Sequence, residues 1–596
     1  LKILKKLISC VIFVISISVI PAKAGIHLIS NVHAADFSAH GYYRIRFEYT
    51  HDLDLQRPNA GIVPGDPEND SNDRFGTIAF GQQRFRFLPN LKVNDHISFH
   101  GGIDLLDNIL FGQSKVNTLA ISNPITGTVA LPEANGPLGV IGTNGGDVVG
   151  GGGGNINVRQ VYVDLITSGG KFRLGRQPSH WGLGILTNDG MAKEGDFGDT
   201  YDRVLYAAGV DLKNGDRLNF ALAYDFAFEA TRDPSIAGLD TGVESNWQDV
   251  SQGGLALLYQ GHNYQIGLMG ALRFRDGNDG GTTTTATFID TLDADGDGDT
   301  SDGIELPAGV DGDTLLYVFD LYAEANFKKN YRLAFEGVYI GGKIAPGVAI
   351  DAIILDDPAQ SGITNPLDSP IQLPLDGVQN DVQIFLAAAE FDAEWDFGGE
   401  VHMQAGYASG DGAPLSSKIT QVGFRPDYDV ALMMFDVPLG TSPAVRVGGI
   451  TEQGRKPMSP NYINNAIYGS LEYKHEFDIT SGVPWADDFK MGIKGITAYA
   501  PANNIDIDFT EITGVSNLPR ILNASKWYGF EIDLSAEATF FEFLHWKTVA
   551  GAFFPGGLYD IKNDELTRST AGIIDPILFD NADIAFAFKT TLFFEF

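Results

Sequence analysis

The side chains best placed to do chemistry fall in one run, Lys171 to Tyr206, which carries His180, Trp181, Glu194, Asp196, Asp199 and Asp202 between Pro178 and a second alternating segment. Hydrolysis would need Ser179 or a carboxylate held against His180. Neighbouring residues on a loop do not by themselves set a base beside its nucleophile, so no enzyme is expected. The run suits instead a densely specified loop whose acids line or narrow a passage. Packing of His180 and Trp181 against a wall is the plainer alternative.

Other apparent motifs weigh less. Gly337 to Lys343 fits G-x-x-x-x-G-K, but Ile344 stands where a magnesium-holding Ser or Thr belongs, and the segment alternates like a strand. Asp293, Asp295, Asp297 and Asp299, with Gly298 at the sixth position, resemble the front of a calcium-binding loop. The twelfth position is Ile304 and Glu305 follows one residue late, so the closing ligand is missing or displaced. Calcium in an outer loop is therefore the one cofactor expectation, against a plain solvated acidic loop. Cys10 lies in an apolar N-terminal run, which leaves no thiol for a disulfide or a nucleophile in the remaining chain.

A second constellation is basic. Arg44, Arg46, Arg84, Arg86, Arg173, Arg273 and Arg275 each alternate with apolar neighbours such as Phe47, Phe85, Phe87, Leu272 and Phe274. A guanidinium facing lipid at mid-depth costs about 2 to 4 kcal/mol, so these seven are expected to line water or a protein interior. Bracing by Glu48, Asp104 and Glu324 is the structural alternative.

The elements that must position these residues are strands. After the N-terminal run, no stretch offers the ~18 continuous apolar residues of a membrane helix. Segments of about ten residues with alternating apolarity recur instead, the mark of a transmembrane β-barrel. Short turns at Asn94-Asp95, Ser168 to Gly170, Asn214 to Asp216, Gly261 to Asn263, Lys328 to Asn330, Phe397 to Gly399, Gly482 to Asp487 and Glu542-Phe543 alternate with long polar loops. The count is about 18 strands in one up-and-down antiparallel barrel, short turns on the periplasmic side and long loops outside. The last segment, Asn581 to Phe596, puts Ile584, Phe586, Phe588, Leu592, Phe594 and Phe596 on one parity.

Composition permits this. Residues 1–35 read as a Sec signal, with Lys2, Lys5 and Lys6 before an apolar run, and 36–596 as the barrel. Removing those lysines and Lys23 takes 41 basic residues to 37 against 76 acidic ones, a net charge of −39. A nucleic-acid partner is excluded by that sign.

Several resemblances rest on these residues. The loop after Pro178 resembles the constriction-forming third loop of bacterial porins. Gly175 to Gly184 (G-R-Q-P-S-H-W-G-L-G), with Asn188 to Gly190 and Asp196 to Arg203, resembles an uncharacterised family of long outer-membrane barrels of myxobacteria and related Gram-negatives. The R-x-R strands, Leu174 to Gln177 and Asp202 to Val204 resemble the alginate-export porins, which implies a monomeric barrel with a basic lumen. Glu531, Asp533 and Glu537 on an inward parity depart from that pattern. The terminal aromatic resembles the signal read by the barrel assembly machinery.

The expectation is an integral outer-membrane channel among lipid and lipopolysaccharide, passing a small-molecule or saccharide solute, with anions favoured. The alternative is a non-conducting adhesion or scaffold barrel acting through its acidic loops. For the calcium loop, titration of purified protein should show saturable binding below millimolar that is lost when Asp293, Asp295 and Asp297 become Asn.

Overall fold

In the computed structural model the described residues are 35–52, 78–111, 119–123, 127–131, 156–228, 250–275, 287–289, 304–306, 314–328, 330–344, 380–410, 418–436, 439, 463–478, 486–502, 525–559 and 584–596. Eighteen long strands form the wall. They are β1 (Asp36–His51), β2 (Ile78–Asn94), β3 (Ile97–Leu110), β4 (Ile156–Thr167), β5 (Gly170–Pro178) and β6 (Thr200–Asp211). There follow β7 (Arg217–Phe228), β8 (Val250–Gln260), β9 (Tyr264–Arg275), β10 (Thr314–Phe327), β11 (Tyr331–Ile344) and β12 (Asn380–Glu394). The last six are β13 (Gly399–Ala408), β14 (Ala466–Glu476), β15 (Ala486–Tyr499), β16 (Trp527–Phe540), β17 (Leu544–Pro555) and β18 (Ala585–Glu595). Each pairs antiparallel with the next, and β18 pairs with β1, so the sheet is a closed antiparallel barrel without a free edge.

Alternation sorts the side chains. Phe47, Tyr49, Leu268, Phe319, Leu471, Ile493 and Leu534 stand exposed on the outer face, whereas Arg44, Arg46, Arg84, Arg86, Asp104 and Glu531 on the other parity are buried. Apolar outside and charged inside is the inverse of a water-soluble sheet and the pattern of a membrane-spanning barrel. At the short turns, aromatic pairs such as Tyr259–Tyr264, Trp395–Phe397 and Phe541–Phe543, with ring centroids 5.8, 5.8 and 6.1 Å apart, supply an interfacial girdle.

The G-x-x-x-x-G-K match lies on β11, in the strand its alternation indicates. The signal segment and the acidic loop Asp293 to Asp299 lie outside the described residues.

The closing seam depends on the chain's end. Gly41 N donates to Phe596 O at 3.0 Å, Phe596 N donates back to Gly41 O at 3.1 Å, and the Phe596 ring stacks on Phe85 at 5.5 Å. A Cβ on Gly41 would lie 2.1 Å from the Arg86 carbonyl oxygen, so only glycine fits there. Phe596→Ala forfeits a stacked pair worth about 0.5 to 1.5 kcal/mol beyond its area. A smaller heat-modifiable folded fraction on a denaturing gel, after refolding into detergent, is the expected result.

Candidate functional site

The third outer loop (179–199) folds into the barrel, and its own sequence explains the turn inward. Pro178 ends β5 because it has no N–H for the ladder. Ser179 N then donates to Asp199 O at 2.8 Å, Asp199 N to Asn188 O at 2.6 Å and Asn188 N to Asp199 Oδ2 at 3.0 Å, doubling the loop on itself. Gly190 sits at φ +61°, and a Cβ there would lie 1.4 Å from the Phe197 carbonyl oxygen. Trp181 lies over Gly267 of β9, where an added Cβ would meet the indole at 2.7 Å. Leu183 N and Gly184 N both donate to Glu336 Oε2 of β11, the second at 3.0 Å.

The loop's far end rests on the arginines of β1 and β2. Arg44 and Arg84 are direct cross-strand partners, an arrangement of like charges that needs a counter-ion. Asp196 supplies it, pairing with Arg44, with Arg46 at 2.5 Å and with Arg84 at 3.5 Å. Loop carbonyls complete the bed. Arg44 donates to Lys193 O at 3.2 Å, Arg84 to Gly195 O at 2.6 Å and Arg86 to Gly190 O at 2.9 Å. Arg86 also forks onto Asp104 at 2.7 and 2.8 Å. Burial pushes the Asp196 carboxyl up, but Arg44, Arg46 and Arg84 outweigh it and hold the group well below the usual carboxylate range. Glu194 is also held low against its burial, by Lys547 and Arg46.

A second inserted element comes from the seventh outer loop, between β13 and β14. Lys418–Ile419 runs parallel to the start of β12, and 424–435 then packs inside the wall. Leu432 N donates to Asp533, and Met433 N and Met434 N to Glu531, all at 2.6 to 3.1 Å. Phe424, Tyr428, Met433, Met434 and Phe435 form an apolar core with Ile384, Leu386, Tyr468, Ile496 and Phe553 of the wall and Ile185 of the third loop. The two loops interlock. Arg425 pairs with Asp199 at 2.5 Å, Arg425 N donates to Ile185 O at 2.9 Å, and Asp427 Oδ1 accepts from Asp196 N and Phe197 N at 2.8 and 3.0 Å.

The expected site residues thus separate. Glu194, Asp196 and Asp199 come together inside the barrel, Trp181 packs on the wall and His180 is exposed beside the turn at Gly184. Asp202 does not join them. It already belongs to β6, whose alternation puts it on the outer face in a bidentate pair with Arg176 at 3.0 Å. Arg44, Arg46, Arg84 and Arg86 face inward as expected but are at most 1% exposed, because the third loop covers them. Arg173 forks onto Asp164 at 2.7 and 2.9 Å and stacks over Tyr162. Arg273 is part-exposed, with its Nε donating to Gln252 Oε1 at 3.1 Å, and Arg275 ends β9 with its side chain outside the described residues. Glu531 and Asp533 lie beneath the seventh loop, while Glu537 pairs with Lys474 at 2.9 Å. No group of three or more metal-ligating side chains occurs among the described residues.

Sequence reasoning missed the seventh loop. Its signal was present: Val430 to Phe435 is an unbroken apolar run between Asp429 and Asp436 inside a long polar loop, and such a run needs cover.

Two outcomes follow for the inner loops. Asp196→Asn strands buried guanidinium groups, a change that costs about 3 to 5 kcal/mol; the loop should undock and single-channel conductance should rise while the barrel stays folded. The second concerns pH. Burial, with Asp196 beside it, raises the Asp427 carboxyl to about 6 despite its backbone donors and Arg159. A raised acid stabilises the docked state below its unfolded value near 4 and loses that contribution as pH climbs through the raised one. Loop-opening events in single-channel records should therefore grow more frequent between about pH 4 and 6, and Asp427→Asn should flatten that rise.

Comparison with known proteins returns distant structural likeness alone. No family model matches the chain, and no curated protein is a significant relative. Solved structures similar to it include the outer membrane protein opdK from Pseudomonas aeruginosa, at 9% identity and TM-score 0.39 over 94% of this chain and 98% of that one. Pseudomonas aeruginosa OccK2 (OpdF) in complex with glucuronate is similar at 10% identity and TM-score 0.37, over 94% and 96%. A BenF-like porin from Pseudomonas fluorescens Pf-5 is similar at 10% and 0.38, over 94% and 98%.

Proposed function

We propose that the protein is an outer-membrane channel for passive passage of small or oligomeric anionic solutes, an organic acid or an acidic saccharide. The observation that carries this reading is a strip of inner wall that the described residues of the two inner loops leave part-exposed. Those loops pack on β10 to β18 and on β1 to β4, with Trp181 reaching Gly267 of β9, whereas other inward residues of β6 to β9, such as Ala207, Ala221, Ala256 and Ala271, stay part-exposed.

Charge at the passage supports anions, through different residues from the four covered arginines. Of the Arg273 side-chain nitrogens, only Nε has a hydrogen-bond partner among the described residues, so the terminal nitrogens keep a planar edge for a carboxylate. Lys547 and Lys589, on neighbouring strands, are part-exposed and only loosely paired, with Glu194 at 4.0 Å and Asp436 at 3.7 Å. Two acids that would oppose them, Glu531 and Asp533, are spent on backbone donors of the seventh loop. Selectivity is set within about a Debye length of the passing ion, ~8 Å at physiological salt, so the acidic total of the chain does not decide it.

In planar bilayers the reconstituted barrel should conduct steadily, with an anion-selective zero-current potential under a salt gradient. Arg273→Gln with Lys547→Gln should move that potential toward zero. A cation-selective wild-type pore overturns the anion reading, and absence of conductance supports the scaffold barrel instead.

A further inference from the structure

The inner wall carries an apolar band where a porin interior is ordinarily polar. Register makes it visible. One cross-strand row reads Leu205, Ala223, Gly254 and Ala271 on β6 to β9 and continues as Val318, Ile340 and Ile384 on β10 to β12. The next row toward the periplasm reads Ala207, Ala221, Ala256 and Met269 before Asp320 interrupts it. On β10 to β12 the band is roofed by the two inner loops, with Val338, Ile384 and Leu386 buried in their core. On β6 to β9 the same rows are part-exposed and face the passage.

Polar rows bound the band on both sides. Toward the outside stand Arg203, Asp225, Gln252 and Arg273, a connected set in which Arg203 forks onto Asp225 at 2.5 and 2.9 Å and Gln252 bridges Asp225 and Arg273. Toward the periplasm stand Asn219, Gln260 and Gln265, with Asn219 donating to Gln260 at 2.8 Å. Over the two rows between them, β6 to β9 present no hydrogen-bonding side chain to the lumen.

We infer that the permeating solute is an amphipathic monocarboxylate, whose carboxylate takes the open fork of Arg273 while its apolar body lies on the band of β6 to β9. This rests on the channel reading above and chooses between its two solute classes. A hydroxylated sugar acid in the same place would lose water from its hydroxyls without gaining partners, a cost that apolar groups do not incur. Small residues in the band, Gly254 and five alanines counting both rows on β6 to β9, leave width for a ring or branched chain.

The test uses the full-length barrel in planar bilayers at neutral pH, with cyclohexanecarboxylate and glucuronate as probes of equal charge and similar size. Bi-ionic reversal potentials should give a permeability for cyclohexanecarboxylate about threefold above that for glucuronate, the value of somewhat less than one buried methylene. The triple variant Ala221→Ser, Ala256→Ser, Ala271→Ser should bring that ratio near unity. Equal permeabilities in the wild type, or a preference that survives the serines, overturn the inference while leaving an anion channel in place. A barrel without steady conductance removes the channel reading and this inference with it.

Discussion

The lumen depends on one carboxylate, Asp196, set among Arg44, Arg46 and Arg84. Two of these guanidinium groups are cross-strand partners on β1 and β2, beside the strand that closes the barrel. Uncompensated, they would repel one another in a low-dielectric interior, and each buried ion carries a desolvation penalty of several kcal/mol. Asp196 and the carbonyls of Gly190 and residues 193–195 discharge that strain together. The third loop is thus the counter-ion of the wall, and its inward fold follows from the wall's own charges.

Interlocking extends the consequence. Asp427 of the seventh loop accepts the backbone N–H of Asp196 itself, so the segment that neutralises the arginines is also the one that the second loop grips. Glu336 on β11 and Glu531 on β16 play matching parts, each taking two successive loop N–H groups. Carboxylates satisfy loop backbones that have no strand to pair with, which a buried irregular segment requires.

Alternation made the wall legible. A period of two, broken by short glycine and asparagine turns, is a property of neighbouring residues, so strand number, closure and the inward parity of the arginines could be read from the chain. The loops could not be read that way. Nothing local distinguishes a charged side chain that faces water from one under a folded-back loop, so Arg44 and Arg86 looked like lining when they are bedding. Asp202 misled for a related reason. It is two residues inside β6, and the boundary between loop and strand decides which face its carboxylate takes. The apolar run Val430 to Phe435 carried a usable signal, but its partners on β12, β14 and β17 are distant in sequence.

Packing the two loops against β10 to β18 and β1 to β4 has a further effect on the strands between. Their apolar cores need an apolar wall on β10 to β12, and the rows that provide it continue around the sheet because register ties each residue to its neighbour on the next strand. Beyond the loops' reach those rows meet the passage on β6 to β9 as a neutral strip, with Arg273 at its outer edge. The charged wall of β1 and β2 holds the third loop in place, and between the polar rows of β6 to β9 a neutral strip is left part-exposed.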